Sequence, residues 1–172
     1  MSTALRTTSV LAVTLLVAAT VAQAGETRAT MAGIGSIQIG MSKAQLERTL
    51  GSRLPETQDA EEDACRQVDT ASAWPGTSVM LIHGRVARID VNERGIFTLS
   101  GAAVGDTQAS VMKRYGRRLQ VTPHEYGVED SKYLTMYSSN HRLGIRFETD
   151  GQKVTEYYVG TAEAVQYVEG CL

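Results

Sequence analysis

The side chains best able to do chemistry in this chain are three histidines, scattered serines and a short acidic run. His83, His124 and His141 lack the i, i+4 spacing that would place two metal ligands on one helix face. His124 stands beside Glu125, but two neighbouring residues in a loop do not form a proton-transfer pair of fixed geometry. The run at 61–63 lacks the alternating oxygen ligands of a calcium loop, and no G-x-S-x-G motif is present. We therefore predict that the protein is not an enzyme and has no metal or cofactor site.

The two cysteines predict a disulfide. Cys65 and Cys171 form an isolated pair, which in an oxidising compartment is most simply one bridge. It would close a loop of about 105 residues, and chain-entropy reasoning gives such a bridge about 4 to 5 kcal/mol of stabilisation. The alternative, a catalytic thiol or a metal-binding pair, lacks a histidine or second cysteine at ligand spacing. The bridge would fix the C-terminus to the first half of the chain.

The first 24 residues have the pattern of a cleaved signal peptide. Arg6 precedes an apolar run over 10–21, and Ala22-Gln23-Ala24 is a small-residue cleavage site. The alternative is a buried helix over 10–21. No cysteine follows the cleavage site, so we predict a periplasmic or secreted protein without a stable membrane anchor. Loss of Arg6 takes the formal charge from −2 to −3, which is far from the basic excess of nucleic-acid-binding proteins. Nucleic acid is therefore not an expected partner.

A shifted repeat organises the rest of the chain. Residues 39–51 are echoed by residues 104–116, with glycines at matching positions near both ends of each copy. Ser42 and Gln45 make a capping box, and Thr107 takes the place of Ser42 in the second copy. A closing glycine suits the left-handed position beyond a helix end. Each copy therefore predicts a short helix, over 42–50 and 107–115.

Strand-like segments follow each helix. His83-Gly84 and Asp150-Gly151 separate alternating segments, and both are hairpin signals. Alternation should turn Ala87, Ile89 and Val91 toward the helices. We predict an α+β fold of two tandem helix-plus-antiparallel-sheet repeats with the helices on one face of the sheet. The repeats span 25–97 and 98–172 after a signal peptide at 1–24, and the second ends in a short helix over 162–169.

The other face of this sheet is the predicted binding surface. Aromatic and arginine side chains supply much of the energy of protein interfaces, and here they stand beside carboxylates on alternating strand positions. The competing interpretation is that the tyrosines are ordinary strand residues and that the tryptophan covers the core. The candidate partner-binding residues are Tyr133, Tyr137, Tyr158, Arg88, Arg146, Glu148 and Trp74.

The helix motif IQIGMSKAQLERTLG and the doubled plan resemble two known groups. Two tandem helix-plus-sheet repeats in an exported protein look like the beta-lactamase inhibitory protein architecture, and the motif is similar to the opening of SmpA/OmlA-type outer-membrane assembly lipoproteins. The first resemblance implies a concave sheet that clamps a protruding loop of a target enzyme. No inhibitory loop can be matched residue by residue. The assembly lipoproteins differ because they have one copy of the unit and a lipidated cysteine.

The sequence thus predicts an exported protein-binding module that binds a protein partner, such as an inhibitor or immunity protein for a secreted or envelope enzyme. The alternatives are a periplasmic envelope assembly or scaffold factor and a small-molecule or glycan-binding module.

Overall fold

The protein is described by a computed structural model that covers residues 27–56 and 64–171. The predicted signal peptide and the acidic run at 61–63 lie outside the described residues. The described chain combines helices and strands and is mostly strand. Its two α-helices have eight residues each, α1 (Lys43–Leu50) and α2 (Gln108–Tyr115). No helix in these ranges is long and apolar enough to cross a membrane.

Seven strands form the main sheet, and every neighbouring pair in it is antiparallel. Their order across the sheet is β4-β5-β6-β11-β10-β9-β8, so that β4 and β8 are the edges and β6 pairs with β11 at the centre. The strands are β4 (Cys65–Asp69), β5 (Thr77–Ile82), β6 (Arg85–Val91), β8 (Gln120–Pro123), β9 (Lys132–Tyr137), β10 (Leu143–Thr149) and β11 (Val154–Thr161).

A second, small sheet has four very short strands in the order β3-β2-β1-β7. Its parallel β1 and β7 bring the start of the described chain beside the segment that precedes α2. Ala29, Ile34 and Ile37 from this sheet are buried in the main core. The strands are β1 (Arg28–Thr30), β2 (Gly33–Ile34), β3 (Ile37–Gln38) and β7 (Phe97–Thr98).

Both predicted helices are confirmed, and their ends follow from local chemistry. Ser42 caps α1: the Gln45 N–H donates to the Ser42 hydroxyl, and the Ser42 N–H donates to the Gln45 side chain. Gly51 closes α1 at φ 69°, a left-handed conformation in which a side chain would cost energy. Thr107 caps α2 by accepting from the Ser110 N–H. The two capped ends therefore satisfy amide groups that have no partner within the helix.

The two helices enter the sheet through matching backbone contacts. Before α1, the Gly40 N–H donates to the Val86 carbonyl and the Val86 N–H donates to Met41. Before α2, the Gly105 N–H donates to the Val154 carbonyl, and the Val154 N–H donates to Asp106. Each helix start is thus hydrogen-bonded to the beginning of a central strand of the main sheet, β6 for α1 and β11 for α2. The buried residues of both helices, Leu46, Val111 and Tyr115, belong to one core cluster with strand residues such as Val79, Ile89, Phe147, Tyr157 and Val159.

Two expectations need correction. Ala87 does not share the side of Ile89 and Val91, because the β5–β6 pairing shifts register between Met80 and Leu81. This irregularity turns Val86 into the main core, while Ala87 packs with Met80 and Ala164 in a separate cluster. The helix expected over 162–169 is a single 3₁₀ turn, Ala164–Gln166.

Candidate functional site

The predicted binding residues on the main sheet lie together, but most of them are buried. Arg88, Arg146 and Glu148 alternate along their strands with core residues, so their side chains point away from the main core. This side of the sheet is called the polar side below. The relative exposures are 2% for Tyr158, 4% for Tyr133, 7% for Arg88, and 8% for Arg146 and Glu148. The expectation of an open face is therefore wrong for these five residues.

Glu148 is the centre of one hydrogen-bonded group on the polar side. Its carboxylate accepts from the Tyr158 hydroxyl at 2.7 Å and lies 2.8 Å from His124 Nε2. His124 Nδ1 accepts from the Tyr126 N–H at 3.2 Å, so this nitrogen carries no proton and Nε2 is the donor to Glu148. Burial is the largest cause that raises the pKa of Tyr158, and the Glu148 charge adds to it. Tyr158 therefore stays a neutral donor.

Arg88 and Asp90 form the second group. Arg88 Nε lies 2.7 Å from Asp90 Oδ1, and Gln67 donates to Asp90 Oδ2 at 2.6 Å. Burial raises the pKa of Asp90, while the Arg88 charge opposes the rise. The Arg88 guanidinium also lies over the Tyr158 ring at 4.3 Å, which is cation–π distance. Arg88 Nε and Asp90 Oδ1 have no further hydrogen-bond partner among the described residues, so their ion contact is what offsets the loss of hydration at these two atoms.

Arg146 repeats this arrangement at the other half of the sheet. Its guanidinium lies 4.8 Å from the centre of the Tyr133 ring, and its Nε donates to the Thr135 hydroxyl at 2.9 Å. Tyr133 stacks on the His124 ring with 4.4 Å between ring centres. Each large polar side chain of this region is thus fixed by its neighbours rather than presented to solvent.

The C-terminal segment covers the two arginines. Arg88 Nη1 donates to the carbonyls of Ala164 at 3.2 Å and Tyr167 at 2.8 Å, and Arg146 Nη1 donates to Gln166 at 3.4 Å. These carbonyls lie in and just after the 3₁₀ turn; the Ala164 carbonyl also accepts from the Tyr167 N–H, while those of Gln166 and Tyr167 lie at the end of the turn, where a short helix leaves acceptors without internal partners. Residues 162–171 are called the C-terminal strap from here on.

The predicted disulfide is present and fixes the end of this strap. Cys65 at the start of β4 is bonded to Cys171, with 5.3 Å between their Cα atoms. The strap is also joined to the loop after β8, because the Tyr126 hydroxyl donates to Glu169. That hydrogen bond is the first cause of a raised pKa for Tyr126. The strap therefore runs across the polar side and contacts elements from both edges of the sheet.

An open cavity of about 1160 Å³ lies beneath and beside the strap. Its wall includes β4 at one sheet edge, Arg88 on the central strand β6 and the loop after β8 at the other edge, so the polar side is concave here. At its mouth Tyr126 is 67% and Val168 is 39% exposed. Glu125 and Glu169 are also exposed there. The lining residues are Cys65, Arg66, Gln67, Arg88, Glu125, Tyr126 and residues 167–171.

The carboxyl of Glu156 has a raised pKa that falls near neutral pH. It lies directly opposite Glu148 on the neighbouring strand and is partly buried. Burial is the main cause that raises its pKa to about 7, and the charges of Glu148 and Asp90 add to the effect while Arg88 opposes it. Near neutral pH this carboxyl is thus poised between its two protonation states.

The other two predicted residues lie outside these hydrogen-bonded groups, although Tyr137 shares the polar side with Tyr133 because both alternate on β9 with core residues. Trp74 packs against the main core on the side of the small sheet, with its indole close to Gly35, so it covers the core. Tyr137 is partly buried and stacks on His141, with 5.9 Å between ring centres. Neither residue lines the cavity.

Sequence reasoning missed the residues that form the mouth of the cavity. Tyr126, Val168 and Glu169 belong to a loop and to an irregular C-terminal segment, where no strand or helix periodicity exists to be read. The one available signal was the cysteine pair, since a tether from Cys171 to Cys65 brings the chain end to the sheet. Within residues 27–56 and 64–171, no group of three His, Cys, Asp or Glu side chains could hold a metal ion.

Comparison with known proteins finds no matching family model, no matching curated protein and no matching solved structure. The resemblance to the inhibitory proteins and the assembly lipoproteins therefore remains a prediction from the sequence.

Proposed function

We propose that this protein is an exported, non-enzymatic binding module that holds a protruding segment of a protein partner in the cavity under the C-terminal strap. The observation that carries this proposal is the cavity itself, whose walls come from both sheet edges and whose mouth presents Tyr126 and Val168 to solvent. An exposed tyrosine is typical of an interface anchor, and carboxylates beside it are typical of the polar rim. An inhibitor or immunity role fits this protein better than an enzyme role, because the polar side chains under the cavity form hydrogen bonds and ion contacts with one another.

The volume of the cavity favours a protein segment over a small ligand. Sites for small molecules usually have about 300 to 1,000 Å³ and enclose the ligand. The present cavity, at about 1160 Å³, is larger and open to solvent. A small-molecule or glycan-binding module remains the second candidate because Tyr126 and Tyr167 line the wall.

We also infer that the chain is two copies of one helix-plus-sheet unit related about the β6–β11 pair. Three features support this inference: the matching contacts of Gly40 with Val86 and of Gly105 with Val154, the matching caps on α1 and α2, and a strand order in which the last main-sheet strands of the two halves, β6 and β11, pair at the centre. In this arrangement both helices pack on one face and the cavity spans the other. This arrangement resembles the concave clamp that the likeness to the inhibitory proteins implies.

Capture of envelope and secreted proteins on the oxidised protein tests the proposal. The mouth variants Tyr126→Ala and Val168→Asp should bind a captured protein about tenfold or more weakly than the wild type, since an anchor at an interface centre contributes at least about 1.4 kcal/mol. Leu99→Ala is the matched control, because Leu99 is 71% exposed and lies outside the cavity lining.

Three results would count against the proposal. Equal capture by the mouth variants and the wild type would place the binding surface elsewhere. Thermal stabilisation by a glycan or small molecule without any captured protein would favour the second candidate. A captured subunit of a membrane complex, rather than an enzyme, would favour the assembly-factor role over inhibition.

A further inference from the structure

Among the described residues, β4 is an edge strand, and no strand pairs with its outer side. In an antiparallel pair, residues that exchange both hydrogen bonds with the partner strand alternate with residues whose N–H and C=O point away. The His83 N–H donates to Ala64 and the Thr70 N–H donates to Thr77, so the even-numbered residues face β5. The odd-numbered residues Cys65, Gln67 and Asp69 therefore direct their N–H and C=O groups away from the sheet.

The residues that carry these outward groups are at least partly accessible to solvent. Gln67 and Asp69 are exposed and Cys65 is half-buried. Among residues 27–56 and 64–171, no backbone hydrogen bond reaches the outward groups of these three residues. Three consecutive outward N–H and C=O pairs are a template for a further strand.

The opposite edge strand, β8, offers fewer outward backbone donors than β4. The His124 N–H donates to Ser131, so the even-numbered residues of β8 face β9 and Val121 and Pro123 point outward. Proline has no N–H, so within β8 only Val121 can donate to an added strand. Natural sheets commonly protect an edge in this way. β4 has no proline and keeps all three of its outward donors.

The unpaired edge also adjoins the proposed binding cavity. Cys65, Arg66 and Gln67 line the cavity, and the Gln67 side chain lies on the polar side, where it donates to Asp90. A strand laid beside β4 would direct alternate side chains toward the same side. There they would meet the exposed carboxylates of Glu125 and Glu169. Of the two arginines in the lining, Arg88 is paired with Asp90. Arg66 shares the side of the core residue Val68 on β4, so the carboxylates set the charge of the mouth.

We propose that the partner segment binds in an extended conformation as an additional strand beside β4, with basic side chains at alternate positions directed into the cavity. This inference rests on the proposed function and adds the conformation and charge of the bound segment. In strand addition the main-chain hydrogen bonds give affinity and the pockets for alternate side chains give specificity.

A library of linear peptides displayed on phage, selected on the oxidised protein, supplies the probe. Selected peptides should carry lysine or arginine at alternate positions. They should bind Gln67→Pro at least about tenfold more weakly than Gln67→Ala, because only proline removes the outward N–H, whereas both variants lose the Gln67 side-chain contacts. In the wild-type protein, the peptide should slow amide hydrogen exchange at Gln67 and Asp69, a readout that needs no variant.

The contrary outcomes separate this inference from the proposed function. Equal affinity of the two Gln67 variants, with exchange slowed only at Tyr126 and Tyr167, would reject strand addition and keep the cavity as the binding site. If the protein forms a dimer that Gln67→Pro disrupts, the β4 edge binds a second copy of the chain. That result would contradict the binding of a partner segment at this edge. Failure to select any peptide would reject the inference, and loss of the Tyr126 dependence in the capture experiment would reject the proposed function.

Discussion

Glu148 joins three side chains of the polar side into one group. Its two carboxylate oxygens accept from Tyr158 and His124, and Glu156 faces it across the strand pair. Hydrogen bonds to a charged acceptor in a buried site are stronger than exposed ones, and loss of one partner leaves the acceptor poorly solvated. The polar side chains therefore stabilise the folded sheet.

The Tyr158 hydroxyl can be removed with little change of shape. Tyr158→Phe should lower the free energy of unfolding by about 1.5 to 3 kcal/mol, the range for hydrogen bonds to charged groups. Urea unfolding followed by circular dichroism measures the change. Tyr137→Phe is the control, because among the described residues no hydrogen bond to the Tyr137 hydroxyl exists, so its stability should change by less than about 0.5 kcal/mol. Equal effects of the two substitutions would contradict the assigned role of Tyr158.

The raised pKa of Glu156 should make the free energy of unfolding depend on pH. Its pKa is about 7 in the folded protein against 4.5 for the free side chain, so between these values the folded state holds the proton more tightly than the unfolded chain. The stabilisation is full below pH 4.5 and is lost as the pH rises to about 7. Glu156→Gln should remove about 1 kcal/mol of this decline, a figure reduced for solvent screening because the side chain is partly exposed.

Unfolding free energies measured from pH 4.5 to pH 8 test this prediction. The groups that face Glu156 are Glu148, Asp90 and Arg88, so the Gln variant should be the more stable protein at pH 8. An unchanged slope in Glu156→Gln would show that another group causes the pH dependence.

At the scale of elements, the C-terminal strap is held by two kinds of contact. Its 3₁₀ turn is anchored by Arg88 and Arg146 and by the buried side chains of Ala164 and Val165, while its end is anchored by the disulfide. The disulfide should stabilise chiefly by restricting the unfolded chain, because the two cysteines are 106 residues apart.

Removal of the disulfide should therefore cost about 4 kcal/mol. The double variant Cys65→Ser, Cys171→Ser should show this loss in denaturant unfolding, together with faster amide exchange at 167–171 than at 164–166. Reducing agent should destabilise the wild type and leave the double variant unchanged. A loss below about 1 kcal/mol would mean that the arginine contacts alone hold the strap.

The caps of α1 and α2 offer a matched comparison. Ser42→Ala and Thr107→Ala should each lower the free energy of unfolding by about 1 kcal/mol, since each removes the acceptor of one helix amide. Thermal unfolding of the two variants measures the effect. No destabilisation in either variant would contradict the assigned capping role.

Helices and hairpins could be predicted because their signals are local. Ser42 with Gln45, the closing glycines and His83-Gly84 determine backbone geometry within a few residues. The small sheet could not be predicted, because strands of two or three residues show no periodicity and depend on a parallel contact between Arg28 and Phe97. The side assigned to Ala87 was wrong because a register shift depends on the partner strand.

At the scale of the whole molecule, the sequence predicted which polar residues share a side but not what covers them. Alternation identified Arg88, Arg146, Glu148, Tyr133 and Tyr158, and they do lie together. Their burial depends on the strap and on the loop at 124–126, two irregular segments whose positions follow from long-range contacts. The proposed binding surface consequently lies at Tyr126 and Val168 rather than at the strand tyrosines, and the candidate site could be predicted only in part.

The most direct test of the proposal is a titration of the captured partner with Tyr126→Ala and Tyr137→Phe. Tyr126 lies at the cavity mouth, whereas Tyr137 is partly buried on β9 and lies outside the cavity lining. We expect a Kd raised by about tenfold or more for Tyr126→Ala and an unchanged Kd for Tyr137→Phe. An unchanged Kd for Tyr126→Ala together with weaker binding by Tyr137→Phe would contradict the proposal, because the partner would then bind the strand tyrosines of the sheet face.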